Sequence, residues 1–260
     1  MKSLFLSIVI GTLGLSGPAP AAELSVGANI GNVPWEFQDG SGDYVGFEID
    51  LVKEVGRRLG RKVDIVNIPF NGLFSAVQSG RIDIAISSIT ITEKRLGSVS
   101  FTQPYYDSAQ SLTVSSKSPA GGLGDMQDKV IGVDTGSTGD MWTTANRDKY
   151  GFDNIRRFEG LAPAMLDLQS GRIDGYISDI PALAYYINDK PYFKVIERIE
   201  TGERYSMMLA KLNPLTDEVN DAIGTLKQEG FIAKLHETWF GTLPAADSST
   251  TAVVEKPATH

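Results

Sequence analysis

The chain has 260 residues, with 24 Lys and Arg against 32 Asp and Glu, a formal charge of −8 and 42% hydrophobic residues, which is enough for one large or two modest domains with real cores. It has no Cys and only two His, His236 and His260; this excludes a disulfide framework, a thiolate zinc site, a cysteine nucleophile and a clustered imidazole site, so neither metal nor cofactor is expected. An acidic balance with dispersed cations is the wrong footprint for neutralising phosphates, and no nucleic-acid partner is expected.

Residues 1–22 predict a secretory signal peptide. Met1 and Lys2 precede an apolar run over 4–15, too short to span a bilayer with ease, and Gly17, Pro18 and Ala19-Pro20-Ala21-Ala22 follow it, giving the three parts that a signal peptidase reads. Cleavage near Ala21 or Ala22, with no Cys to take a lipid, leads to the expectation of a protein free in a periplasm.

After that point β-rich runs at 24–28, 63–68, 82–86 and 130–133 alternate with segments of helical period,. Over 47–59 the apolar Ile49, Val52, Val55 and Leu59 recur at helical spacing, Lys53, Glu54, Arg57 and Arg58 fall on the other face, and Gly60 stands where a C-cap is wanted,. The hexapeptide Gln-Ser-Gly-Arg-Ile-Asp occurs at 78–83 and again at 169–174. Each copy ends a helical run, turns at a Gly and launches a strand (82–87 and 173–178) with polar residues at its C-terminal end. Two similarly built α/β lobes are predicted, with ligand beyond those strand ends. From residue 245 on, Ser, Thr, Ala, Lys and Pro dominate without periodicity, and residues 244–260 are expected to be a disordered tail,.

Several motifs in order carry a specific likeness. Gly46-Phe47-Glu48-Ile49-Asp50-Leu51 with Val55-Gly56 and Leu59 is one, and Phe70-Asn71-Gly72-Leu73 through Ser87-Ser88-Ile89-Thr90-Ile91-Thr92-Glu93-Lys94-Arg95 to Phe101-Thr102-Gln103-Pro104-Tyr105 is another. Gly132-Val133-Asp134-Thr135-Gly136-Ser137-Thr138, Arg172-Ile173-Asp174 to Ser178-Asp179, and Thr238-Trp239-Phe240-Gly241 complete the set. Together, from about residue 24 to 241, they resemble the polar amino-acid-binding receptors of ABC importers, solute-binding protein family 3. The resemblance implies a type II periplasmic binding protein fold, α/β, two-lobed, each lobe a central sheet flanked by helices, with two interlobe crossings. Lobe 1 would comprise residues 23–108 and 205–243, and lobe 2 residues 109–204. The hexapeptide places one copy in each.

Burying an amino acid in a closed cleft requires a cation for its carboxylate and an anion or carbonyl for its ammonium. By the resemblance Arg95 is the carboxylate clamp, with a planar fork that can hold two oxygens. Ser88 and Thr90 match positions that contact the α-carboxylate and α-ammonium, although Ser and Thr also populate turns. Ser137 and Thr138 open a helix after a strand; the free N–H groups there suit an anion, and an N-cap is the alternative. The resemblance makes Asp179 the ammonium-binding carboxylate; a helix N-cap ahead of Pro181 is the competing role. Phe70 matches an apolar or aromatic wall, with core packing as its other use. Trp35 either stacks over the ligand or is a packed aromatic.

Relatives often have Asp where this chain has Asn29, and an aromatic where it has Asn32. Losing a carboxylate argues against a strongly cationic ligand side chain, and Asn in place of an aromatic leaves polar room. A polar amino acid or a hydroxylated amino-acid conjugate such as an opine is therefore expected, delivered by a monomer to a membrane ABC permease. The alternative is a periplasmic dehydratase of the arogenate or prephenate type on the same scaffold. Glu36 and Asp179 are available to it, yet an Asp paired with an ammonium makes a poor general acid, and no catalytic residue is expected.

Overall fold

The computed structural model describes residues 23–258; the expected signal peptide lies outside the described residues. The chain begins with β1 (Glu23–Ala28), a short hairpin of β2 (Phe37–Gln38) and β3 (Tyr44–Val45), α1 (Phe47–Arg58), β4 (Lys62–Asn67), α2 (Phe70–Gln78), β5 (Ile84–Ala85), α3 (Glu93–Leu96) and β6 (Val99–Phe101). Next come β7 (Tyr106–Ser115), β8 (Val130–Asp134), α4 (Thr138–Ala145), α5 (Arg147–Tyr150), β9 (Asn154–Phe158), α6 (Leu161–Gln169), β10 (Gly175–Asp179), α7 (Ile180–Ile187) and β11 (Phe193–Tyr205). It returns through β12 (Met208–Ala210), α8 (Leu215–Gln228) and α9 (Phe231–Phe240).

Two five-stranded sheets result, ordered β4-β1-β5-β12-β6 and β11-β7-β10-β8-β9. In the first, β1 runs parallel to β4 and β5, and β12 is antiparallel to β5. The second repeats the scheme: β8 runs parallel to β9 and β10, and β7 is antiparallel to β10. Each sheet is covered on both faces, as parallel strands require. Lobe 1 has one apolar cluster against α1, α8 and α9 and another against α2. The chain passes between the sheets in the long strands β7 and β11, which pair antiparallel with Asp107 opposite Arg204 and Ser108 opposite Glu203. The expected boundaries fall inside this two-stranded span.

The helix expected over 47–59 forms as α1, burying Ile49, Val52 and Val55, and Gly60 follows its C-cap in a left-handed conformation at φ 65°. Asp and Glu in its first turn and Arg57 and Arg58 in its last complement the helix dipole,. The two hexapeptides build the same local object. Gly80 and Gly171 turn at φ 71° and 72°. Asp83 Oδ2 accepts the Ser25 N–H at 2.9 Å, and Asp174 Oδ2 accepts that of Val130 at 2.9 Å. Only Ile84 and Ala85 of the strand predicted over 82–87 pair with β1. Ile82 turns beneath the sheet, and Ser87 and Ser88 bend toward buried carboxyl groups.

The C-terminal residues depart from the expectation of a disordered tail. The segment after α9 lies along lobe 1, with Ser249 9% and Thr250 2% exposed. Ser249 donates its N–H (2.7 Å) and hydroxyl (2.5 Å) to Asp107, and the Lys227 ammonium donates to Ala252 O at 2.8 Å. Composition could not reveal this, because what orders the segment is a buried cation and a strand-end carboxylate far away in sequence.

Candidate functional site

Between the C-terminal ends of the two sets of parallel strands lies a cavity of ≈ 200 Å³ lined from both lobes. Asn29, Ile30 and Asn32 follow β1, Phe70 opens α2, Ser87 and Ser88 follow β5, and Arg95 sits in α3. Facing them are Asp134 and Thr135 at the end of β8, Ser137 and Thr138 at the start of α4, residues 158–163 from the end of β9 into the first turn of α6, and Ser178 and Asp179 at the end of β10.

Arg95 is 6% exposed. Its Nη1 donates to Thr90 O at 2.7 Å and its Nη2 reaches across the cleft to Gly136 O at 3.2 Å. The guanidinium lies 5.5 Å from the Phe70 ring centre and 5.1 Å from that of Phe74, contacts that favour a cation. Burial lowers its pKa to about 10, against the pull of Glu203 and Asp179, so it stays charged at neutral pH. Among the described residues it forms no ion pair. A buried guanidinium with donors to spare needs an anion from outside the chain.

Asp179 heads α7 but makes no side-chain cap to it; the N-cap alternative does not describe it. Its carboxylate accepts instead from Gln110 Nε2. Burial, with the negative charge of Glu203 added, raises its pKa well above the usual carboxylate value. Gln110 also donates to Glu203 Oε1 at 2.9 Å, and Thr90 Oγ1 donates to Glu203 Oε2 at 2.9 Å. A cation placed at Asp179 would relieve this crowding of negative charge.

Ser137 and Thr138 both line the cavity, and Ser137 is at the same time the N-cap of α4, its hydroxyl accepting the Asp140 N–H at 3.0 Å. Thr138 Oγ1 accepts from Gln110 at 3.3 Å. Asn29, Asn32, Phe70 and Ser88 line the wall expected of them. Thr90 does not: it is 5% exposed and outside the lining, its hydroxyl turned to Glu203 and its carbonyl to Arg95, so its role is to hold the arginine. Trp35 is corrected too. It is 0% exposed and meets Phe47, Tyr106 and Tyr205 edge to face at 5.6, 4.7 and 5.4 Å. It belongs to the lobe 1 core and stacks over nothing in the cleft.

Sequence reasoning missed Asp134, Glu159 and Gln110. Asp134 carries the most consequence: its Oδ1 has no hydrogen-bond partner among the described residues, and burial raises its pKa to about 6. Glu159 is exposed at the rim of the same wall. The signal for Asp134 was available, since it is the polar residue at the C-terminal end of a parallel strand. Gln110 sits mid-strand in β7 and had none. With Asp134, Glu159 and Asp179 set against Arg95, the cavity is an acidic chamber with one cation at one end.

Comparison with known proteins gives the family and the fold. Residues 24–242 match the family model for bacterial extracellular solute-binding proteins, family 3. The ABC transporter arginine-binding protein 1 of Escherichia coli (strain K12) is 25% identical over 92% of this chain and 99% of its own. An ancestral arginine-binding protein solved bound to arginine superposes with a TM-score of 0.80 at 32% identity, over 85% of this chain and 99% of that one. The arginine-, lysine-, histidine-binding protein ArtJ from Geobacillus stearothermophilus gives a TM-score of 0.80 at 30% identity, over 86% and 98%.

Proposed function

The chain belongs to the bacterial extracellular solute-binding proteins of family 3, and from that membership we propose that its cleft captures a free α-amino acid whose side chain carries N–H donors, with arginine, lysine and histidine ahead of glutamine. The ligand carboxylate meets Arg95, its ammonium meets Asp179, and its side chain extends toward Asp134 and Glu159. The observation that carries the reading is the charge pattern: one buried, unpaired guanidinium opposed by more carboxylates than an α-ammonium can use. The expectation of a hydroxylated conjugate weighed only Asn29 and Asn32. Asp134 supplies from lobe 2 the carboxylate that Asn29 lacks.

Closure follows from the same charges. Arg95 bridges the lobes only through one carbonyl, so the closed form gains most when an anion and a cation fill the chamber, and ligand selects that form. The proposal extends to export through cleavage of residues 1–22, to action as a monomer in the periplasm, and to delivery to the membrane permease of an ABC importer. The chain is a binding protein of transport and not an enzyme. A dehydratase would need an acid at a leaving group, whereas Glu36 is 0% exposed and outside the cavity lining.

The test is calorimetry on protein refolded to strip copurified ligand, with arginine, lysine, histidine, glutamine, glutamate and an opine. Basic amino acids are expected to bind most tightly. At 100 times its dissociation constant the ligand should stabilise by about 2.7 kcal/mol. Preference for glutamate or for the conjugate over every basic amino acid would overturn the assignment of the side chain.

A further inference from the structure

Two carboxyl groups are sealed beneath the lobe 1 side of the cavity. Glu36 ends the loop after β1 and Glu48 lies in the first turn of α1, and both are 0% exposed. The groups that act on Glu36 are Glu48, Ser87 and Asn32; those that act on Glu48 are Glu36, the Tyr105 hydroxyl and the Ser88 N–H, and none is a cation. Two buried anions in contact, without a counter-charge, cannot both persist.

The hydrogen bonds say where the proton sits. Glu48 accepts the Ser88 N–H on its two oxygens at 2.8 and 3.0 Å, and the Tyr105 hydroxyl on Oε1. Glu36 Oε1 accepts Ser87 Oγ at 2.5 Å and Asn32 Nδ2 at 3.2 Å. Glu36 Oε2 is buried and receives no donor, and the carboxyl that acts on Glu36 most strongly is that of Glu48, whose bonds go to Ser88, the residue next to the Ser87 that Glu36 holds. A bare carboxylate oxygen there would be costly; a hydroxyl donating to Glu48 is satisfied.

Apart from the core residue Tyr105, each residue held by the pair lines the cavity. Asn32, Ser87 and Ser88 are all in its wall, and Ser88 has φ 42°, a left-handed backbone that a serine keeps only when its surroundings impose it. Ser88 Oγ accepts from Asn32 Nδ2 at 2.9 Å, so its own hydrogen is free for a ligand acceptor. We propose that Glu36, as a neutral acid, and Glu48, as its ionised partner, form a positioning pair whose shared proton holds Asn32, Ser87 and Ser88 as one polar floor and aims the Ser88 hydroxyl at the ligand. The proposal rests on the amino-acid-binding reading of the cleft. Burial and Glu48 raise the Glu36 pKa well above the ordinary carboxylate value; the floor is intact while Glu36 keeps its proton and is lost as pH rises through the raised value.

Infrared spectra of the ligand-free protein and calorimetry with arginine, from neutral to alkaline pH, decide it. The wild-type chain should show a protonated-carboxyl carbonyl band at neutral pH that Glu36→Gln removes. Glu36→Gln, which keeps a donor toward Glu48, should rescue arginine binding to within about threefold and abolish the alkaline loss, whereas Glu36→Ala should weaken binding tenfold or more. The pair is overturned if the neutral-pH band is missing from the wild type, if Glu36→Gln weakens binding as much as Glu36→Ala, or if its pH profile follows the wild type. A wild-type protein that binds none of the amino acids would overturn the reading of the cleft instead, and the band would still report the proton.

Discussion

The two lobes are the same small machine built twice, and the cavity records where they diverged. Ser25 and Val130 lie in equivalent strands, β1 and β8, each N–H received by the Asp of a hexapeptide. Two residues on, Gly27 and Gly132 each lie over the repeat's isoleucine, Ile82 or Ile173. Two further on stand Asn29 and Asp134. The other pairs follow from the hexapeptide register: Phe70 with Leu161, Ser87 with Ser178, Ser88 with Asp179. All of these cavity positions line the wall. Shared scaffolding is confined to the turns and strand starts, and ligand chemistry to the strand ends, where lobe 2 puts an acid at two positions that lobe 1 gives to Asn and Ser. Lobe 1 differs in another way. Between β1 and α1 it inserts the stretch with Asn32, Trp35 and Glu36, where lobe 2 passes from β8 to α4 through Thr135, Gly136 and Ser137.

The largest effects should come from breaking the cavity pairs unequally. Asp179→Asn is expected to cost about 2–5 kcal/mol of arginine affinity, since it leaves a buried ammonium unpaired. Ser88→Ala, its counterpart, removes a hydroxyl hydrogen bond worth about 0.5–1.5 kcal/mol. Calorimetry on both variants checks this; equal losses would mean that the lobes share the ligand evenly.

Asp134 sharpens the same contrast through pH. Burial moves it from an ordinary 3.8 to about 6. The unfolded chain releases that proton first as pH rises, so stability is full below about 4, falls through 6 and stays lower above, by about 3 kcal/mol. Asp134→Asn should therefore stabilise the ligand-free protein above pH 6, leave it unchanged below pH 4, and erase the preference for arginine over glutamine. Arginine binding to the wild type near pH 6 should release a proton, visible as a buffer-dependent binding enthalpy; glutamine should release less.

Much of this architecture was legible in the sequence for a local reason. A helix end, a glycine at positive φ and a strand start are fixed within a few residues, and Gln-Ser-Gly-Arg-Ile-Asp writes all three, so the lobes could be read from it. Arg95 and Asp179 were found through the family resemblance, and Ser137 because a helix start after a strand offers free N–H groups, a reading the resemblance favoured over a plain N-cap. Trp35 was ambiguous, because an aromatic beside a binding loop can serve core or ligand, and the rings that enclose it, Phe47, Tyr106 and Tyr205, come from three separate stretches. Glu36 was weighed only as an acid for a dehydratase, and Glu48 only as part of a motif, for the same reason: the two come together only when α1 packs under the β1 loop.

The shared scaffolding can be tested at its twin glycines. A Cβ on Gly27 would lie 2.4 Å from Ile82 Cδ1, and one on Gly132 would lie 2.5 Å from Ile173 Cδ1. Either Gly→Ala change should cost about 1–3 kcal/mol of stability by overpacking, read from denaturant unfolding. Similar costs would support equivalence of the two strand-to-isoleucine contacts. A much smaller cost at Gly27 would place the tighter packing in lobe 2, where Phe158 and Tyr176 also crowd the site.

The smallest expected effect belongs to a feature that lobe 1 has alone. Lys227 is 5% exposed, and its ammonium donates to Gln103 Oε1 at 2.9 Å, Pro104 O at 2.7 Å and Ala252 O at 2.8 Å. Burial lowers its pKa to about 8. Truncation after residue 244 removes one of these acceptors and the Ser249 grip on Asp107, and opens Lys227 to water. Net, it should cost about 1 kcal/mol, the worth of an ordinary hydrogen bond, with arginine affinity unchanged because no part of the segment lines the cavity. The sign of its pH dependence is distinctive. With a depressed folded value the native chain sheds the lysine proton before the unfolded chain does, so wild-type stability rises between about pH 8 and the ordinary lysine range. Thermal unfolding across that range should show the rise in the wild type and a flatter curve in the truncated protein. Parallel curves would mean that water already reaches Lys227, and that the segment rests on lobe 1 without sealing it.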